Sequence, residues 1–426
     1  MPQQINEIAK GVQTLFLPNN AFNTTLVSFN FYLPLNKETV SRNALLPELI
    51  STCSADYPDY LKLNYRLSDL YGADVISSVT KVGNCICIKF SLSTINNRFA
   101  FGGEQIVEDS INLLLNLIFR PKIKDNSFYE EDVKREKRKL IDRIKGDLNE
   151  KRIYARNRLI AEMFEGDPYG LYRLGRAEDV EAVTGKELYE AWKEMLETAL
   201  LRVHIIGEEM PKGLEEKIRE ELSVLNRHDI TDIYQCSALS PRQQVKRVSE
   251  FMDVAQGKLV MGFSCPGGDD DFTLDLMMMC DIFGGGPYSR LFTNVREKMS
   301  LCYYCSASAV RNKGYIMVDC GVEKENAKKA EEAILAQLQA IKSGEFNDFE
   351  FSSSLKSIRD SLKSYHDSQN GLDVWYTIKA INKNIYSPEE ISEKLGIVTK
   401  EDVINVASKV KYNTIFSLMP KESEEN

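Results

Sequence analysis

The chain has 426 residues, of which 43% are hydrophobic and 27% charged. A single core stops growing at about 250 to 300 residues, so two domains are expected, and the composition excludes collagen-like, disordered and disulfide-dense classes. The net charge of −9 repels phosphate backbones and anionic lipid surfaces, so neither nucleic acid nor membrane is an expected partner. Three histidines occur, His204, His228 and His366. They are never at the spacing that lets two imidazoles share a metal, which excludes a histidine-rich zinc site.

The opening residues show no basic start followed by an apolar run, and no stretch of 18 apolar residues occurs, so a cytoplasmic chain is expected. Strand-like runs cover residues 11–17 and 25–33, the second alternating apolar and polar residues. Helical patterns follow over 44–52 and 60–70, the latter stopped by Gly72. Strands at 74–81 and 85–92 are joined by Val82-Gly83-Asn84, a hairpin signal. Helices are then predicted over 103–119 and 126–145, from 151, and over 185–196, before a strand at 200–206. The basic stretch 134–145 carries interleaved acids and reads as a solvated helix face.

A charged helix at 211–225 leads into polar, unpatterned residues. This divides the chain into an N-terminal domain (1–226), a linker (227–245) and a C-terminal domain (246–426). The grammar of the first half then returns. The strand 259–264 echoes 26–33, the helix 288–298 echoes that from Tyr60, and the strands 302–310 and 314–322 echo the earlier hairpin. Helices from Lys324, Phe349, Gly371, Pro388 and Lys400 precede a last strand at 413–418. The chain therefore reads as a duplicated α+β unit, each copy a mainly antiparallel sheet with helices on one face. Without βαβ alternation a Rossmann arrangement is disfavoured.

Gly284-Gly285-Gly286 has no following Lys-Ser or Lys-Thr and succeeds a helix, so it is not a phosphate loop. Asp269-Asp270-Asp271 lacks the ligand pattern of a calcium loop and reads as a solvated turn. The nine cysteines are odd in number and lie mostly in apolar runs, as reduced core thiols do. Cys302 and Cys305 form a C-x-x-C inside a strand-like run; with no second pair to complete a zinc knuckle, packing is the expected role.

One string is more particular: GGGPYSRLFTNVREKMSLCYY, residues 284–304. It resembles the C-terminal-domain signature of the insulinase and mitochondrial-processing-peptidase family of zinc peptidases. Asp253, Gln256, the Leu70-Tyr71-Gly72-Ala73 turn and the internal duplication agree, and the resemblance spans the chain. It implies a clamshell of two homologous domains. It also implies an inverted zinc motif, H-x-x-E-H, in the first domain, with a further glutamate ligand on a later helix. In such a motif two histidines at i and i+4 face the metal and the glutamate serves as base. Here the motif falls on Leu45-Leu46-Pro47-Glu48-Leu49, and on the later helix Glu136 precedes Arg143 at the ligand position. Leucine offers no lone pair and arginine is not deprotonated. No histidine precedes His204, so no realignment restores the motif.

The resemblance further implies an Arg/Tyr pair in the second domain, here Arg296 and Tyr303, which stabilises an oxyanion and positions substrate. Tyr304 is the neighbour that alternation turns away. Gly284, Gly285 and Gly286 would form a loop that grips peptide. The expectation is a zinc-less, non-catalytic subunit, inactive alone. It would bind extended peptide and lend Arg296 and Tyr303 to a homologous subunit that carries the intact motif and the zinc, with a homodimer possible in isolation. The alternative is a peptide-binding or assembly-stabilising module with no catalytic contribution.

Overall fold

The computed structural model describes residues 5–267 and 273–421; Asp269, Asp270 and Asp271 lie outside the described residues. The chain forms two compact units. One comprises Met1–Gly146, Leu171–Gln235 and His366–Ile381, and the other Asp147–Gly170, Cys236–Tyr365 and Asn382–Asn426. The units are thus not the two sequence halves, because each takes in a segment of the opposite half.

In the first unit, strands β1 (Ile5–Ala9), β2 (Val12–Pro18), β3 (Thr24–Pro34), β4 (Asp74–Val82) and β5 (Cys85–Ile95) join a six-stranded sheet. A two-stranded ribbon, β6 (Ile123–Lys124) with β7 (Ser127–Phe128), precedes the sixth strand, β8 (Leu200–Gly207). The sheet order is β1-β2-β8-β3-β5-β4, with β2 and β8 parallel and the other pairs antiparallel. Its main core lies under α1 (Val40–Thr52), α3 (Ile106–Phe119) and α7 (Gly185–Thr198). The surface helix α2 (Tyr60–Asp69) starts where Asp59 caps the Lys62 N–H. Helix α4 (Glu130–Asn149) contributes Val133, Leu140 and Ile144 to the core, and α6 (Ala177–Ala182) and α8 (Leu214–Ser223) add Val180 and Ile218.

The alternation in β3 has two destinations. Val27, Phe29, Phe31 and Leu33 point into the main core. The residues between them, Ser28, Asn30 and Tyr32, are fully buried on the opposite face, under α12 (Gln369–Lys379), a helix of the second sequence half. Ser28 Oγ donates to Asp373 Oδ1 at 2.5 Å, and the Tyr32 phenol donates to the Thr377 carbonyl at 3.0 Å. Lys89 Nζ lies 2.5 Å from Asp373 Oδ2, and His204 Nδ1 2.8 Å from Asp373 Oδ1. Burial alone would raise the Asp373 pKa, but the His204 hydrogen bond and the Lys89 charge outweigh it and hold the carboxyl at about 2.

In the second unit, β9 (Lys246–Met252), β10 (Gly257–Ser264), β11 (Cys302–Val310), β12 (Tyr315–Val322) and β13 (Lys411–Pro420) form a sheet of order β11-β12-β10-β13-β9, in which only β9 and β13 are parallel. Strand for strand this reproduces β4-β5-β3-β8-β2, so the duplication read from the sequence is a duplication of topology. Helices α9 (Thr273–Gly284), α10 (Ala327–Lys342), α11 (Asp348–Ser364), α13 (Pro388–Lys394) and α14 (Lys400–Lys409) belong to this half of the chain. From the first half comes α5 (Lys151–Met163), whose Ala155, Leu159 and Met163 pack with Val260, Phe416 and Leu418. Gly262 makes room for it, since a Cβ there would sit 2.2 Å from Met163 Sδ. The chain is an α+β protein of two homologous units that exchange one helix each, α5 for α12.

Candidate functional site

The positions aligned with a zinc motif come together in the first unit, but their chemistry has changed. Leu45 and Leu49, one turn apart on α1, are 0% and 1% exposed within the main core. Glu48, on the flank of that helix, is half-buried. Its pKa is raised by burial and by the charge of Glu136, against the pull of Arg143 and Lys139. Glu136 is fully buried on α4 and engaged by cations: Arg135 Nε at 2.7 Å and Lys139 Nζ at 3.1 Å. Arg143 is exposed two turns further along. Packed leucines and a guanidinium supply no lone pairs, and the remaining carboxylates are claimed or opposed by cations, so these residues do not fit zinc.

The second unit assembles the Arg/Tyr pair. Residues Leu291–Lys298 form a π-helix whose widened turns are closed by Met299 N–H to the Asn294 carbonyl at 3.0 Å. Ser300 then takes a left-handed conformation (φ 50°), which turns the chain into β11. In the β11–β12 register Cys302 pairs with Val322 and Tyr304 with Gly321, leaving Tyr303 as the extra residue of a bulge. The bulge pushes Tyr303 outward, 59% exposed, with its phenol donating to Glu323 Oε1 at 2.6 Å. That carboxylate holds the phenol above its usual pKa.

Arg296 and Tyr303 line one cavity of about 420 Å³, together with Glu297, Ser300, Cys302 and Glu323. The Arg296 guanidinium stacks over Phe292 at 4.5 Å and lies 3.6 Å from Glu297. Tyr304 faces elsewhere. Arg152 stacks on its ring at 4.3 Å, and Gly321 opposite it leaves room for the ring, since a Cβ there would meet the ring edge at 2.4 Å. Gly284, Gly285 and Gly286 are not among the residues lining this cavity. Gly284 ends α9 and Gly285 and Gly286 follow in the turn after it; a Cβ on Gly284 would strike the Ala307 backbone nitrogen at 2.5 Å, so this glycine lets the helix end press against β11.

Two neighbours of the pair were not found by sequence reasoning. Glu323 is one, and a hairpin register counted back from Gly314 would have indicated it just beyond β12. The other is Cys320, a neighbour of the cavity-lining Cys302, which the same count pairs with Cys305. The sulfurs of Cys302, Cys305 and Cys320 lie within 4.8 Å of one another.

The fold and the dismantled metal positions define an inactive homologue of a two-domain zinc peptidase. The description "Peptidase M16 inactive domain" matches residues 182–358. A Bacillus subtilis protein described as "Probable inactive metalloprotease YmfF" is 30% identical over 423 residues, covering 98% of this chain and 99% of its own. The chain belongs to the M16 metallopeptidase family. A solved structure of a conserved protein from Enterococcus faecalis superposes with a TM-score of 0.89 at 24% identity, covering 100% of both chains. A structure of a peptidase M16 inactive domain from Pseudomonas fluorescens gives 0.77 at 14% identity, again with 100% of both chains covered. No helix among the described residues is long and apolar enough to cross a membrane.

Proposed function

We propose that this chain is the zinc-less, non-catalytic subunit of a heterodimeric zinc endopeptidase of the cytoplasm, which binds extended peptide and lends Arg296 and Tyr303 to a homologous subunit bearing the intact metal motif. The observation that supports this reading is the shared cavity. A half-buried guanidinium and an exposed phenol line one space, while the chain's own metal positions are closed by leucine.

The chemistry follows from charge. Peptide hydrolysis passes through a tetrahedral intermediate whose oxyanion a phenol O–H stabilises, and a guanidinium fork holds substrate carbonyls or carboxylates. The Tyr303 proton is given to Glu323, so serving an oxyanion requires it to change partner. Glu323 is a latch that substrate must displace. The same hydrogen bond favours the second reading, a peptide-binding or assembly-stabilising module, in which the phenol keeps its carboxylate and never meets a reacting atom.

Peptide cleavage by the homologous subunit alone, by this chain alone and by both together tests the proposal. We expect activity only in the mixture, and Tyr303→Phe in this chain to lower kcat by about 100-fold or more, the usual cost of one oxyanion donor. A homologous subunit fully active alone, or a Tyr303→Phe mixture as fast as the wild type, defeats it.

A further inference from the structure

The bulge that turns Tyr303 outward has a second effect. Residues three apart in a regular strand point to opposite faces, which would separate Cys302 from Cys305. The extra residue at Tyr303 resets the alternation. Cys302, opposite Val322, and Cys305, opposite Cys320, therefore share a face with Cys320 itself. The three sulfurs converge to within 4.8 Å of one another. Cys305 and Cys320 are buried, at 5% and 0% exposure. Cys302 is half-buried and lines the Arg296 and Tyr303 cavity.

We propose that Cys302, Cys305 and Cys320 form a three-thiolate site for Zn²⁺, with its fourth coordination position open to the cavity. A zinc–thiolate bond of about 2.3 Å with tetrahedral angles sets sulfurs about 3.8 Å apart, so rotamer adjustment of the half-buried Cys302 brings the set to bonding geometry. Soft sulfur donors exclude magnesium and calcium. Among soft cations, charge favours zinc: three thiolates with Zn²⁺ leave one net negative charge and with Cu⁺ two, and Arg296 is the cation on the cavity wall, beside the Glu297 and Glu323 carboxylates. The open position gives the cation a way in. Held by two strands, it would clamp the bulge that carries Tyr303. The site is far in sequence from the Leu45 and Leu49 positions and does not depend on whether the Arg/Tyr pair serves another subunit.

The test is titration of the reduced, chelator-stripped full chain with Co²⁺, followed by Zn²⁺ competition. We expect one cation per chain, a thiolate-to-cobalt charge-transfer band with the visible bands of a tetrahedral site, and displacement by zinc. Cys302→Ser, Cys305→Ser and Cys320→Ser should each weaken binding by at least about 100-fold, since even loss of a supporting hydrogen bond behind a ligand costs 10- to 100-fold. Cys280→Ser, a buried thiol elsewhere in the same unit, should bind as the wild type does. If a buried variant fails to fold, Cys302→Ser carries the test. Absence of the charge-transfer band in the reduced wild type, its persistence in Cys302→Ser, or a stable two-hydrogen mass loss from a Cys305–Cys320 disulfide in freshly isolated chain overturns the proposal.

Discussion

Leu45 shows how a lost site becomes part of a core. It stands at a position of the family's zinc motif, and it packs at 0% exposure with Leu46 and Leu49. Leu45→Ala should therefore cost about 2 to 5 kcal/mol, as buried leucines do, read as a lower urea midpoint at unchanged slope. A loss within about 0.5 kcal/mol, the size of a surface substitution, would mean the position is not packed as described. This residue was legible in the sequence because side-chain type alone settles it: leucine cannot ligate, wherever it lies. The contact of Tyr303 with Glu323 and the meeting of Cys302 with Cys305 and Cys320 were legible in part or not at all, because both depend on one bulge. A regular strand would have scattered them over two faces, and period-two reasoning sees only the regular strand.

At the scale of elements, α12 shows a polar contact replacing an apolar one. Ser28 and Asn30 alternate with Phe29 and Phe31 in β3, a pattern that usually marks a wet face, yet both are fully buried beneath Asp373. His204, also fully buried, has its pKa lowered by burial, with Lys89 and Arg202 adding to the effect against the pull of Asp373. Its Nδ1 faces Asp373 while Nε2 has no partner, the arrangement of a neutral ring donating from Nδ1. The sign of the pH effect follows. Below the unfolded histidine's value of about 6.5 the unfolded chain takes a proton that the folded chain refuses, so stability falls with falling pH. Asp373, whose folded value is about 2, contributes stability that is lost only below the unfolded carboxyl value of about 3.9, outside that window. The urea midpoint should therefore drop between about pH 7.5 and about pH 5.5, and His204→Asn, which keeps a donor toward Asp373, should flatten the drop. Parallel pH curves for the two proteins would refute the assignment. The strands and most helices on this face were readable from periodicity, but their partner was not: no local pattern indicates that the helix near Gly371 belongs under residues 28–32.

For the whole molecule, the exchange of α5 and α12 makes the sequence halves unequal to the folded units. A break placed in the polar stretch before β9 would leave residues 1–235 without the helix that covers Ser28, Asn30 and His204, and residues 236–426 without the apolar face that α5 brings to β10 and β13. Each fragment would then expose buried polar groups or a large apolar patch. Expressed separately, the fragments should be insoluble or lack a cooperative unfolding transition, while co-expression should restore a soluble complex. Two fragments that each unfold cooperatively on their own would contradict this. The duplication itself was legible, since β3 and β10 repeat a recognisable run, as do the two hairpins. The crossing of helices was not, because α5 and α12 carry ordinary amphipathic patterns that do not say which sheet they will meet.

That crossing bears on how such a chain persists. When a metal-binding half loses its ligands, nothing in its chemistry obliges the gene to keep it. Here the half without the motif histidines still carries α5, which covers the apolar face of β10 and β13 in the other half's sheet, and it still needs α12 in return. Truncation would therefore destroy the half with the Arg/Tyr cavity along with the half whose motif positions hold leucine. The two copies are bound to a common fate, and the silent metal site is inherited as the structural hostage of its sister.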